Sequence, residues 1–307
     1  MNFTFERLSD SNIYHLRLLH HACYKKWLPE GYFEAKYNTK YLTPARFGHL
    51  AFHNNLCVAF NGMIPCAMEY NGQVELSAQS SDSMTHPAYM KRGLFTAVIE
   101  RNYTNLRNEH IGFLWGFPNS YSSVIFPKKL GWKSTEAMNG YRIHVVNRYA
   151  AYFKRIANTA YYGDNALQKI FENQLVTIAP SNSLAGSGFV TAVRNSDFFR
   201  YKQFGGSILI KLEGITLWIK QNGALFIGDM DSISPSQLKQ LMPLLTGMAK
   251  RCGASEIYFQ SHSGSQVEAA FAAQYPMFVS WQILYDNLSS KFPLDKIRVT
   301  MGELDSF

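Results

Sequence analysis

The chain has 307 residues and a formal net charge of +8; 47% of its residues are hydrophobic, 17% charged and 15% aromatic. That composition excludes a disordered chain and supplies core material for about two domains of roughly 150 residues. Its Lys and Arg are scattered, without zinc-finger spacing, a basic heptad region or an RNA-binding aromatic signature, so a polyanionic small molecule suits the charge better than nucleic acid.

The N-terminal "MNFTFERLSDSNIYHL" lacks the basic start and apolar run of a signal peptide, and no stretch approaches about 18 consecutive apolar residues. The expectation is a soluble cytoplasmic protein with no membrane contact. A short strand comes first. Ser9 or Asp10 could then cap a helix carrying Ile13, Leu16, Leu19 and Cys23 on one face. Residues 28 to 48 are aromatic and basic but poorly periodic, so helical pieces and loop are expected. "HLAFHN" and "CVAFNGMIPCAMEYNG" read as strands, and the Asn-Gly pairs at 61–62 and 71–72 supply turn chemistry for an antiparallel meander. "QVELSAQSSDSMTH" is the next strand.

"MTHPAYMKRGLFTAVIERNY" (84–103) then leaves that strand through His86-Pro87 and enters a helix predicted from about Gly93 to Asn108, with Leu94, Val98, Ile99, Tyr103 and Leu106 at helical spacing. A helix N-terminus offers unpaired N–H groups and partial positive charge, so the amides of Lys91 to Phe95 could wrap a pyrophosphate. Gly93 would permit close approach, and Lys91 and Arg92 add charge. By itself, a corner with one glycine and two basic residues serves equally as an ordinary turn; it is neither a Walker A loop nor GxGxxG. "GFLWGFPN" (112–119) reads as a buried strand, followed by a short helix, "KKLGWKS" and the strand "GYRIHVVN".

Residues 149 to 187 read as a connection with one or two helices. Three strands in "GSILIKLEGITLWIKQNGALFIGDMD" follow. After them come a helix in "SPSQLKQLMPLLTGMAKRCG", a strand "SEIYFQSH", a helix "SQVEAAFAAQY" and strands near "VSWQILYDNL" and "KIRVTM". The same order of meander, helix, strand, short helix and strand in both halves suggests two copies of one fold. Cys23, Cys57, Cys66 and Cys252 show no CxxC spacing, and His20 and His21 have no partner at metal-ligand spacing. Buried free thiols and no metal are expected.

The succession "MTHPAYMKRGLFTAVIE", "GFLWGFPN" and "FPKKLGW" closely resembles the GNAT acyltransferase superfamily, in particular its two-lobed bacterial members with "THP-x-x-x-x-x-GLF" and "GFPN". The resemblance covers roughly residues 1 to 147 and is strongest over 79 to 133. It implies an α+β fold of two tandem GNAT-like lobes, each a mixed, mostly antiparallel sheet flanked by helices. The lobes would be 1–147, which binds acyl-CoA, and 188–307, which lacks a CoA loop, with a helical connection over 148–187. It also implies acetyl-CoA, or another acyl-CoA, as co-substrate and a small-molecule amine, such as an amino sugar or metabolite, as acceptor, by direct attack in a ternary complex. The pyrophosphate loop would be Met90, Lys91, Arg92, Gly93, Leu94 and Phe95. Met90 and Phe95 depart from the motif's Arg/Gln and Gly/Ala, but the contacts are backbone groups. Ser83, Met84 and Thr85 would offer main-chain groups to the thioester and pantetheine, Thr96 could touch a phosphate, and Asn119 would meet the pantetheine arm.

The general-acid tyrosine of many members falls here on Pro127. Tyr121, Ser120 or Ser122 could substitute, and Tyr121 is the candidate kept. An upstream glutamate of some members is here Gln79. Among Glu69, Glu75 and Asp82, Asp82 ranks first as the base, although its side chain faces away from Thr85's side of the sheet unless the strand bulges. In the second half, "SISPSQL" has neither glycine nor basic residue, and Pro235 suits the first helical position behind Ser234 or Ser232. "FFRYKQFGG" (198–206) and "VTMGELDSF" (299–307) also resemble segments of the family. Two alternatives follow from the departures: a non-catalytic acyl-CoA-binding protein, and a Fem-type aminoacyl transferase.

Overall fold

In the computed structural model, which describes residues 1–43, 46–146 and 166–307, the chain opens with β1 (Thr4–Arg7), α1 (His15–Tyr24) and α2 (Tyr32–Lys36). Neither Ser9 nor Asp10 caps α1. The helix begins behind Tyr14 with no side-chain cap, because the expected first turn is occupied by Asn12, whose side chain ties Ser9 N–H and the Arg7 carbonyl. Leu16 and Leu19 are buried as expected.

The meander consists of β2 (Phe47–His53), β3 (Leu56–Tyr70) and β4 (Gln73–Thr85). Only one of the two Asn-Gly pairs is a turn. Asn71-Gly72 joins β3 to β4 with both residues left-handed, whereas the β2–β3 turn uses Asn54-Asn55, also left-handed. Asn61-Gly62 lies inside β3, since Asn61 is fully buried in side-chain hydrogen bonds and a Cβ at Gly62 would overlap the Tyr37 hydroxyl. This glycine serves close packing rather than a reversal.

α3 (Leu94–Asn108), β5 (Phe113–Gly116), α4 (Ser122–Ile125) and β6 (Lys133–His144) follow. α3 packs Ile99 and Leu106 into one cluster with Phe47, Leu114 and Trp132, and Leu94 and Val98 into another with Ala51 and Val58. Of the expected helical connection, the part up to residue 165 lies outside the described residues. Its described part contains α5 (Ala166–Ile170). The remaining elements are β7 (Thr191–Ala192), α6 (Ser196–Lys202), β8 (Ile208–Leu212), β9 (Ile215–Asn222), β10 (Ala224–Met230), α7 (Pro235–Arg251), β11 (Glu256–Ser261), α8 (Gln266–Ala272) and β12 (Met277–Asn287). "KIRVTM" is not a strand: Ile297 and Thr300 make single bridges to Val190 and Ser261.

These elements form two compact units. The first comprises Met1–Met68, Gln73–Lys133 and Leu284–Phe292. Its sheet runs β1, β2, β3, β4, β5 and then Leu284–Asn287; β4 and β5 are parallel, and Leu284–Asn287 is antiparallel to β5. The second comprises Glu69–Gly72, Ser134–Ile283 and Pro293–Phe307, with β6, β11, β10, β9 and β8 in that order and only β10–β11 parallel. Each sheet is mixed, mostly antiparallel and flanked by helices, which is the expected α+β class. Each is also completed by the strand that follows the other's parallel strand in sequence. Among the described residues no helix is long and apolar enough to cross a membrane.

The second unit contains a buried histidine between β11 and the C-terminal segment. His262 Nδ1 accepts from Val299 N–H at 3.0 Å, which leaves Nε2–H to donate to the Glu136 carbonyl at 3.2 Å. Burial, with the Arg298 charge nearby, pushes its pKa from 6.5 down to about 4. The folded protein therefore holds it neutral where an unfolded chain would protonate it. Its stabilisation is complete above pH 6.5 and is lost as pH falls toward about 4, up to about 3 kcal/mol in all. Chemical denaturation from pH 7 to pH 4 should show this loss, and His262→Gln should flatten that slope while lowering stability at pH 7.

Candidate functional site

β4 and β5 pair only from Ser77↔Phe113 to Gln79↔Trp115, while β4 runs on to Thr85. Three residues past the last pair Asp82 takes φ 46°, a left-handed conformation that costs a non-glycine residue about 1–3 kcal/mol. Past this residue, Ser83, Met84 and Thr85 line a cavity of about 330 Å³, within the size range of small-ligand sites.

The loop from β4 to α3 forms the next wall. A short 3₁₀ turn, Pro87–Tyr89, is started by His86, whose Nδ1 accepts from Ala88 N–H at 3.2 Å. Lys91 (φ 61°) and Gly93 (φ 77°) are left-handed, and Arg92 between them is not. Such alternation turns successive N–H groups to one side and makes an anion-binding concavity. No side chain caps α3, and its first turn has no acidic residue. Its leading N–H groups and positive dipole end are thus left to whatever enters the cavity. A Cβ on Gly93 would meet no protein atom within 4 Å, so only backbone strain and the space of a ligand oppose a side chain there.

Of the residues expected at the site, Ser83, Met84, Thr85, Met90, Lys91, Arg92, Gly93, Leu94, Phe95, Thr96, Asn119 and Tyr121 line this one cavity. Asn119 Oδ1 accepts from the N–H groups of Tyr121 and Ser122 at 2.9 and 2.8 Å, which starts α4 and leaves Nδ2 as the group to reach a ligand. The Tyr121 side chain is largely exposed at the rim. Asp82 is not among the lining residues. Its Oδ2 lies 2.8 Å from Lys36 Nζ and accepts from Tyr37 OH at 2.8 Å. Phe126 packs on Phe95 and Trp132 in the core, and Pro127 beside it carries no proton donor.

The cavity also holds residues that the sequence did not single out: Cys23 and Tyr24 from α1, Tyr89 from the loop, and Lys129 after α4. Cys23 donates to the Thr85 carbonyl at 3.4 Å, which fixes α1 against the end of β4. Burial raises the Cys23 thiol pKa; burial and then the Asp82 charge raise that of the Tyr24 phenol, so both stay protonated near neutrality. The only signal for them was the helical spacing that placed Cys23 with Leu16 and Leu19, and it read as core.

In the second unit the corresponding helix differs. Ser234 Oγ accepts from Gln237 N–H, Gln237 Oε1 accepts from Ser234 N–H, and Pro235 follows the cap, so the N-terminus of α7 is closed by its own capping box.

Residues 5–135 match the family model for an acetyltransferase (GNAT) domain. No match was found among curated proteins. Solved structures share the fold. A GCN5-related N-acetyltransferase from Kribbella flavida has a TM-score of 0.59 at 11% identity, over 94% of this chain and 72% of its own. One from Anabaena variabilis gives 0.56 at 13%, over 94% and 73%. A conserved Enterococcus faecalis protein of unknown function gives 0.63 at 10%, over 94% and 73%.

The site geometry makes a prediction independent of any ligand. Gly93→Ala should lower stability by about 1–3 kcal/mol through left-handed strain alone, read as a shifted denaturation midpoint with an unchanged slope. No loss would mean that φ at residue 93 is not positive in solution.

Proposed function

We propose that this chain, a member of the GNAT acetyltransferase superfamily through residues 5–135, transfers an acyl group from acyl-CoA to the amine of a small molecule. The observation that carries this reading is the uncapped N-terminus of α3 behind the Lys91–Gly93 concavity, in one cavity with the main chain of Ser83–Thr85 and with Asn119.

The residues present fit the co-substrate. Backbone N–H groups from Lys91 to Thr96, with the charges of Lys91 and Arg92, would hold the pyrophosphate. Asn119 Nδ2 would meet the pantetheine arm, and main-chain groups of Ser83–Thr85 would polarise the thioester carbonyl. In the reaction the amine nitrogen bonds to that carbonyl carbon and loses a proton; the C–S bond breaks, and the departing thiolate takes up a proton. Among the described residues three phenols line the cavity; Tyr89 OH is engaged with His53 Nδ1 at 3.0 Å, and Tyr121 and Tyr24 are the candidates to give that proton. Aromatic residues of α1 beside the end of β4 would form part of the acceptor's wall.

A second reading, an acyl-CoA-binding protein without turnover, is favoured by Pro127 at the family's proton-donor position and by the pairing of Asp82 with Lys36.

Acetyl-CoA and free CoA should each raise the melting temperature, and Gly93→Val should abolish both shifts. Absence of any shift with the unmodified protein would overturn both readings. A panel of amines scored by thiol release then separates them. Turnover with any amine, lowered about 10²-fold or more by Tyr121→Phe or Tyr24→Phe, would identify the proton donor; no turnover across the panel would leave the binding protein.

A further inference from the structure

The break in β4 is held from two sides by groups that the reading above does not use. From one side α2 brings Lys36, whose side chain is 2% exposed, and Tyr37 at its end; both engage Asp82 Oδ2. Burial and the Asp82 charge raise the Tyr37 phenol well above its ordinary pKa, so it remains a donor. Gly62 on β3 makes room for that hydroxyl.

From the other side, Asn61 Nδ2 donates to Ser80 Oγ at 3.2 Å and to Ser83 Oγ at 2.9 Å, spanning the left-handed Asp82. Asn61 accepts through its backbone and side-chain oxygens from Asn102 Nδ2, at 2.9 and 2.8 Å. Asn102 Oδ1 must then accept from His49 Nδ1–H, at 2.8 Å. Asn102 lies on α3, the helix whose N-terminus faces the cavity, and is 2% exposed. A strained left-handed residue persists only where its surroundings over-determine it. Here an ion pair with a buried lysine and a buried amide chain do so, and polar networks of this kind fix geometry more than they add stability.

We propose that Asp82 is a positioning residue rather than the proton acceptor of the reaction. Lys36 and Tyr37 clamp it, Asn61 on Asn102 braces the opposite side, and together they hold the main chain of Ser83–Thr85 in register with the N-terminus of α3. This rests on the acyl-CoA reading for what the main chain is aimed at. An alternative use of Asp82 as a base would fall to Oδ1, on a residue that does not line the cavity.

The test uses Lys36→Met, Asp82→Asn, their double variant and Lys36→Arg in the full chain. Each single variant removes one half of the ion pair, whereas the double variant removes both charges and guards against simple unfolding. Amide hydrogen exchange without ligand should quicken at residues 81–85 in both single variants and stay unchanged at residues 96–106. With bound acetyl-CoA carrying a ¹³C carbonyl, the infrared downshift of the thioester stretch should be lost in both, while affinity for CoA stays within about twofold. With an amine that the unmodified protein turns over, both should lose kcat equally, the double variant should be no worse than either, and Lys36→Arg should restore most of it. If Lys36→Met keeps the carbonyl shift and kcat while Asp82→Asn alone abolishes turnover and the acid limb of the pH–rate profile, Asp82 is the base and the proposal is overturned. Unchanged exchange at residues 81–85 overturns it as well. Failure of the unmodified protein to bind CoA removes the acyl-CoA reading itself and, with it, the role assigned to the clamp.

Discussion

The structure of the first unit depends on where β4 stops pairing with β5. Parallel strands that stay in register expose no main-chain groups between them. Here the register ends at Gln79↔Trp115, and the left-handed Asp82 turns the remaining strand away. That departure creates the cavity, presents the main chain of Ser83–Thr85 to it and sets the direction from which the loop enters α3. The cost of one unfavourable backbone conformation is met by hydrogen bonds that are individually ordinary. They are effective because they converge on Ser80, Asp82 and Ser83, around the left-handed residue.

Both units run three antiparallel strands into a helix and a parallel strand, yet they treat one detail oppositely. α7 begins with serine, proline and glutamine in a closed box, and its first N–H groups are spoken for. α3 begins with glycine behind a left-handed lysine and has no cap. A helix without a cap gives up about 1 kcal/mol relative to one with a good cap. The protein accepts that loss at the helix whose start opens into a cavity of about 330 Å³. The difference is local and chemical, and it distinguishes a helix start closed by its own side chains from one left open to a cavity.

Much of this was legible in the sequence where the signal was itself local. Apolar periodicity located α3 and α7, Ser234-Pro235 announced the start of α7, and the loop residues around Gly93 fall together on one cavity wall. What was not legible depended on distant partners. Asn61-Gly62 has turn chemistry in isolation, but Asn61 is drawn into the strand by Asn102 and Ser83, and Gly62 by the Tyr37 ring, 25 residues away in sequence. Asp82 could be ranked among carboxylates, but nothing near it in sequence announced Lys36 and Tyr37. Cys23 read as the inner face of a helix because periodicity reports which side is covered, not whether protein or a cavity lies beyond it. Likewise "KIRVTM" has strand composition, yet it makes only single bridges.

The antiparallel partner of β5 is Leu284–Asn287, about 170 residues further along the chain. During synthesis, then, β1 to β5 and α3 can all emerge and collapse while one edge of β5 still lacks its neighbour. An open strand edge beside a fresh apolar face is a template for wrong pairing. Contacts of such sequence separation also form slowly, because a large loop must close before they contribute. The cavity-bearing unit therefore reaches its final form only after Leu284–Phe292 has left the ribosome. Until then a nascent chain has the loop and helix of the cavity but not the full sheet beneath them.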